Sequence, residues 1–118
     1  VPVDAGSSYS IKGLRKALEW ISTVQRSGNP DLRFLGLLLN RVDLRRGISR
    51  VILQDVKKQF MREQRFKTSL PFSHLVPAAE YGKKTIFEDY PESKAAQSYE
   101  TLANEVLSLC NSHLKGQV

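Results

Sequence analysis

The 118-residue chain has a single cysteine, Cys110, so it cannot form an internal disulfide, which fits a reducing compartment. It has two histidines, His74 and His113, far apart in sequence, and no cluster with metal-ligand spacing. No apolar run reaches the length of a membrane span. The opening VPVDAGSSYS lacks the basic and apolar regions of a signal peptide. Gly82-Lys83-Lys84-Thr85 is no phosphate loop. Pro77 stands near where the earlier glycine should be, and Lys84 separates Gly-Lys from the hydroxyl residue. His74 has no base partner or orienting group in the pattern, which leaves it a loop-packing residue.

Acidic residues are also scarce. Eighteen Lys and Arg face twelve Asp and Glu, a net charge of +6. The excess lies between Arg41 and Lys67, where Asp43, Asp55 and Glu63 are the only acids. The cations Arg45, Arg46, Arg50, Lys57 and Lys58 admit two readings of equal weight. One is a solvated helix face, the other a salt-sensitive surface for DNA phosphates. No aromatic residues interleave with them to stack bases.

At 41% hydrophobic and 25% charged, the chain has the make-up of one soluble globular domain, a single α/β segment over 1–118. Its organising stretch is Phe34 to Asp43, FLGLLLNRVD. The apolar run suits a strand buried on both faces, and it stops abruptly at Asn40, Arg41 and Asp43. Open α/β sheets place ligands at such carboxyl ends, although on this stretch alone turn formation by Asn40 and Asp43 is the stronger reading.

Before it, VPVD reads as the tail of a strand that began earlier, and Ile11, Leu14, Leu18, Ile21 and Val24 mark a helix over 10–26. Ser8 or Ser10 is the expected cap, and Gly28 the stop. Trp20 and Tyr99, at helical spacing, are expected in the core. A second helix runs from Ile48 to about Met61, and Phe66 to Phe72, FKTSLPF, forms a third strand ended by Pro71. Leu75–Tyr81 forms one or two helical turns, 85–90 is irregular or extended, and Ser93 caps a last helix to about His113. Cys110 lies on the apolar face of that helix, and LKGQV frays. Strand and helix alternate, which argues a parallel sheet with right-handed crossovers.

Laid out in this order, the chain resembles the C-terminal half of a ParA-type partition ATPase, in the wider group with MinD and Mrp. VPVDAGSSYSIKGLRKALEWI resembles the segment that leaves a central strand, and FLGLLLNRVD the next strand with its nucleotide-base loop. The most specific part is Leu70-Pro71, Ala78-Ala79-Glu80, Gly82-Lys83, Pro91, Ser93-Lys94, Ala95-Ala96-Gln97 and Tyr99, in family order. The resemblance implies a three-layer, mainly parallel sheet flanked by helices, the C-terminal portion of a P-loop NTPase fold. It implies ATP and Mg²⁺ in the parent protein, whose phosphate loop and metal-binding acids are not among these residues. The segment alone is therefore unable to hydrolyse ATP. It would supply part of the adenine pocket through Asn40, Pro71 and Phe72. It implies nonspecific DNA binding through Arg45, Arg46, Arg50, Lys57, Lys58, Lys83 and Lys84, homodimerisation, a ParB-like partner protein, and a cytoplasmic, nucleoid-associated location. Phe72 stands where ParA proteins commonly have Arg, as in the Mrp and MinD branch. The tail NSHLKGQV is too short and polar for the MinD membrane helix. The alternatives are a stand-alone DNA- or protein-interaction module without nucleotide, and an Mrp- or MinD-like ATPase.

Overall fold

In the computed structural model, the described residues are 1–116, with side chains to residue 112. The last helix stays helical to Gly116, beyond its expected end at about His113 and into the stretch expected to fray, and residues 117–118 lie outside the described residues.

Strand β1 (Pro2–Asp4) lies parallel to β2 (Leu38–Asn40), with Val3 opposite Leu39, and helix α1 (Ser10–Ser27) makes the crossover. Paired residues share a face and alternate residues return to it. Val3, Leu37 and Leu39 therefore point to one side. There α1 and α2 (Gly47–Gln59) close over them through Leu14, Ile52 and Val56. Leu37 is 1% exposed, whereas Leu38, on the opposite side, is half-buried. Leu39, on the same side as Leu37, is also half-buried, so the expected burial on both faces of this strand is incomplete. No helix among the described residues is long and apolar enough to cross a membrane.

The third strand expected over Phe66–Phe72 is present as an interrupted one. It runs parallel to β2 but makes only two isolated bridges, Leu37 with Arg65 and Val42 with Pro71. Phe66 N–H bonds Leu37 O at 2.8 Å and Leu70 N–H bonds Leu39 O at 2.9 Å, so this chain advances twice as far as β2 between the two bonds. The surplus forms a bulge at 67–69. The N–H groups of Lys67 and Thr68 instead donate to the Glu105 carboxylate at 2.7 and 2.9 Å. Glu105 belongs to the last helix, so the bulge is where that helix joins the sheet.

After a short 3₁₀ turn (Arg62–Gln64), helices α3 (Leu75–Tyr81), α4 (Ile86–Asp89) and α5 (Lys94–Gly116) follow. They gather around a second core of Ile86, Ala95 and Ala96. Within 85–90, Ile86–Asp89 is helical rather than irregular because Thr85 and Glu88 form a reciprocal capping box, each side chain taking the other's N–H at 3.1 Å. Ser93 caps α5 as expected, its hydroxyl accepting from Ala96 N–H at 3.1 Å. Neither Ser8 nor Ser10 caps α1. Tyr9 occupies that position, and the Ser10 hydroxyl donates to the Asp4 carbonyl.

Two expected core residues lie outside. Trp20 is on the exposed side of α1, away from the stripe of Leu14 and Leu18 that meets the sheet. Cys110 is exposed, at the margin of the α5 stripe formed by Leu102, Val106 and Leu109.

Two outcomes test this packing. Leu37→Ala should lower unfolding stability by roughly 2–5 kcal/mol and Leu38→Ala by well under half of that, measured by urea denaturation. Burial pushes the Glu105 carboxyl up. Hydrogen bonds from Thr68 and Lys67, with the Lys67 charge, outweigh that and hold it below its ordinary value of 4.5. A carboxyl lowered by folding contributes stability that is complete above 4.5 and lost as pH falls through the lower folded-state value. The stability difference between the native chain and Glu105→Gln should therefore be largest at neutral pH and shrink in acid. A pH-independent difference would count against the tie.

Candidate functional site

The carboxyl ends of β1, β2 and the interrupted strand meet at one edge of the sheet, where polar side chains set the backbone. Asp4 Oδ1 accepts the Gly6 N–H at 2.8 Å and turns the chain after β1. Ser49, fully buried in the first turn of α2, donates its hydroxyl to Ala5 O at 2.8 Å and accepts the Asp43 N–H at 3.2 Å. Asn40 Oδ1 accepts the Arg41 N–H at 2.9 Å, and Arg41 adopts a left-handed conformation with φ 56°. Asp43 Oδ1 accepts the Arg45 N–H at 3.1 Å. Turn formation by Asn40 and Asp43 is therefore real, and it also shapes the edge of a cleft.

That cleft, of about 250 Å³, is lined by Asn40, Arg41, Pro71, Phe72, Ser73, Val76, Pro77 and Tyr99. The structure thus brings Asn40, Pro71 and Phe72 together. Pro71 and Phe72 also form the wall of a second hollow of about 340 Å³, reached by Leu44, Arg45 and Lys94. Asn40 Nδ2 has no hydrogen bond among the described residues and can donate into the first cleft. Phe72 is fixed by His74, edge-on with ring centroids 5.0 Å apart. The Arg41 and Arg46 guanidiniums lie 5.9 and 5.6 Å from the Phe72 centroid, within cation–π range.

The seven cations considered from the sequence fall into three groups rather than one face. Arg45, Arg46 and Arg50 surround the loop beside Phe72. Arg45 is held by Asp43 at 3.0 Å, and Arg50 donates to Leu44 O at 2.7 Å. The hydrogen bonds from Arg45 hold the Asp43 carboxyl below the ordinary range. Lys57 and Lys58 stand in the last turn of α2, about 15 Å along the helix from Gly47. Lys83 and Lys84 line a hollow of about 600 Å³ that shares Val76 and Tyr99 with the cleft, and Lys84 pairs with Asp89 at 3.6 Å.

Three residues of this edge were not expected at the site from the sequence. Arg41 is a fourth arginine at this edge, paired with Asp4 at 3.3 Å. The signal for it was its place directly after Asn40. Tyr99, expected in the core, is a half-buried wall of the cleft. Ser49 shares a stripe with Ile52 and Val56, and a polar residue at such a position requires a buried partner.

No protein-family model matches the chain. Three curated proteins do. Over 99 residues it is 36% identical to the sporulation initiation inhibitor protein Soj of Bacillus subtilis, covering 83% of this chain and 38% of that protein. Over 100 residues it is 31% identical to the chromosome partitioning protein ParA of Myxococcus xanthus, covering 84% and 35%. Over 109 residues it is 33% identical to the chromosome-partitioning ATPase Soj of Thermus thermophilus, covering 92% and 43%. The chain spans about two fifths of the length of these relatives. Similarity of this extent places the chain among the ParA/Soj-type partition ATPases, of which it is one region.

Proposed function

We propose that this chain is the C-terminal α/β part of a ParA-like ATPase, which moves a chromosome, plasmid or other cargo by ATP-dependent dimerisation and nonspecific DNA binding. The observation that carries the reading is the cleft itself, an apolar slot at the carboxyl ends of parallel strands with arginines at its rim. Asn40 would offer its free Nδ2 to an acceptor on the adenine edge, and Pro71 and Phe72 would cover the ring. Phosphates and Mg²⁺ would be held elsewhere in the longer protein. No group of three His, Cys, Asp or Glu able to hold a metal occurs among the described residues. ATP, when bound, supplies the phosphoanhydride whose hydrolysis resets the switch. These residues bind and orient the base only. In the longer protein further helices would cover the Leu38 side and complete three layers. The whole would work in the cytoplasm at the nucleoid, with a ParB-like partner.

DNA would meet the arginine loop first, because Arg45, Arg46 and Arg50 project from the same rim, while Lys57, Lys58, Lys83 and Lys84 extend the positive surface. Phosphate binding of this kind weakens steeply with salt.

Two measurements test the proposal. Adenosine should bind the 118-residue chain weakly and shift the Asn40 side-chain amide resonances, an effect that Asn40→Ala abolishes. Shifts confined to other regions would exclude the cleft as a base pocket. Neutralising Arg45 and Arg46 to Gln should lower retention on random duplex DNA and reduce the salt slope by about one for each phosphate no longer neutralised, with an unchanged melting point. Lys57→Gln with Lys58→Gln should have the smaller effect. DNA retention without any adenosine response would favour an interaction module that works without nucleotide.

A further inference from the structure

Among the residues that line the cleft, Arg41 is the only cation. Its backbone is left-handed, with φ 56°, and its N–H is held by Asn40 Oδ1 at 2.9 Å. The side chain runs from the end of β2 to the end of β1, where Nη1 meets Asp4 Oδ2 at 3.3 Å. Gly6 gives the guanidinium room there, because a side chain at that position would come within 3.8 Å of Nη2. The same guanidinium lies 5.9 Å from the Phe72 centroid. It thus bridges the turn after β1 and the apolar wall of the cleft.

The other arginines of this edge are placed differently. Arg45 is gripped by both oxygens of Asp43, at 3.0 and 3.2 Å, and lines the second hollow. Arg50 is tied to Leu44 O, and neither Arg46 nor Arg50 lines the cleft. Arg41 makes one contact from one nitrogen, longer than the about 2.7–2.9 Å usual for charged pairs. The rest of its planar fork of donors has no hydrogen-bond partner among the described residues. Both members of the pair are exposed, Arg41 by 53% and Asp4 by 36%, so the contact adds little to stability and separates readily.

We propose that Arg41 binds the 5′-phosphate of the nucleotide whose base occupies the cleft, exchanging its contact with Asp4 for one with the phosphate. The inference rests on the cleft being a base pocket and adds to it a residue for the phosphate nearest the sugar. The phosphates beyond that one are left to the rest of the longer protein. Base and guanidinium lie side by side along Phe72, because a ring between them would need about 7 Å, twice the ~3.5 Å contact distance. A nucleotide whose sugar edge faces Arg41 then presents its 5′-phosphate to the fork. A phosphate dianion carries more charge than a carboxylate, and its oxygens suit the fork in pairs, so it displaces Asp4. Asp4 keeps the guanidinium at the cleft until the phosphate arrives.

The test is titration of the 118-residue chain with adenosine and with AMP, followed by the Asn40 side-chain amide and the Arg41 Nε–H resonances. AMP should bind roughly three- to tenfold more tightly than adenosine and move both signals, whereas adenosine moves Asn40 alone. Arg41→Asn keeps a residue that tolerates the left-handed backbone, and it should abolish the advantage without changing adenosine affinity. Asp4→Asn preserves an oxygen for the Gly6 N–H, frees Arg41, and should raise AMP affinity by up to about fivefold. Arg62→Gln removes the same charge away from the cleft and should keep the advantage. An AMP affinity no higher than that of adenosine, an advantage that survives Arg41→Asn, or equal Arg41 shifts with inorganic phosphate would overturn the proposal and leave the base pocket standing. An Asn40 amide unmoved by adenosine would instead remove the base pocket, and this inference with it.

Discussion

The Ser49 hydroxyl sits without solvent exposure between the carbonyl of Ala5 and the N–H of Asp43. Those two groups belong to the segments that leave β1 and β2. A buried polar group left unpaired costs about 1–3 kcal/mol, so one side chain holds both strand ends against the first turn of α2. The rest of the edge inherits this constraint. Asp43, fixed through its N–H, presents its carboxylate to Arg45. Asp4, at the end of β1, reaches the Arg41 guanidinium across the strand pair. The cleft is thus shaped by short polar side chains acting on backbone, and its apolar wall only fills the frame they set.

Crowding four arginines around one loop should be unfavourable, and the structure shows how the repulsion is managed. Arg41 and Arg45 each have a carboxylate, Arg46 and Arg41 lie near the π-system of Phe72, and Arg50 is anchored to a carbonyl. Exposed ion pairs contribute little to stability, about 0–1 kcal/mol each. Their effect here is orientation. Two charges are compensated, and those of Arg46 and Arg50 have no carboxylate partner among the described residues. A helix-face reading of the basic segment misses this, because the positive loop is set by Asp4, Asp43 and Phe72 rather than by helical periodicity.

Much of this was legible in the sequence. The apolar run that stops at Asn40 marks the strand end, the 3.6-residue spacing marks α1 and α2, and Asn40, Pro71 and Phe72 do meet in one cleft. What escaped depends on partners distant in sequence. The third strand reads as regular because nothing within 66–72 shows that Glu105 will take two of its N–H groups. Trp20 and Cys110 read as core because periodicity gives the angle of a side chain around its helix but not what lies opposite. The capping box at Thr85 and Glu88 was a local signal and could have been read. Leu37 and Leu38 are chemically identical, and only the pairing of Val3 with Leu39 decides which one is sealed.

The cleft also lies on the seam between two cores. One is centred on Leu37 and the other on Ala95 and Ala96. Asn40 comes from the first, while Val76 and Tyr99 pack with the second. The clearest tie between the two is the Glu105 carboxylate on the bulge at 67–69. Glu105 is six residues beyond Tyr99, about 9 Å along α5, so the anchor that docks the helix also sets how far Tyr99 reaches into the cleft. Loosening α5 from the bulge would remove a tie that joins the two cores beside the cleft.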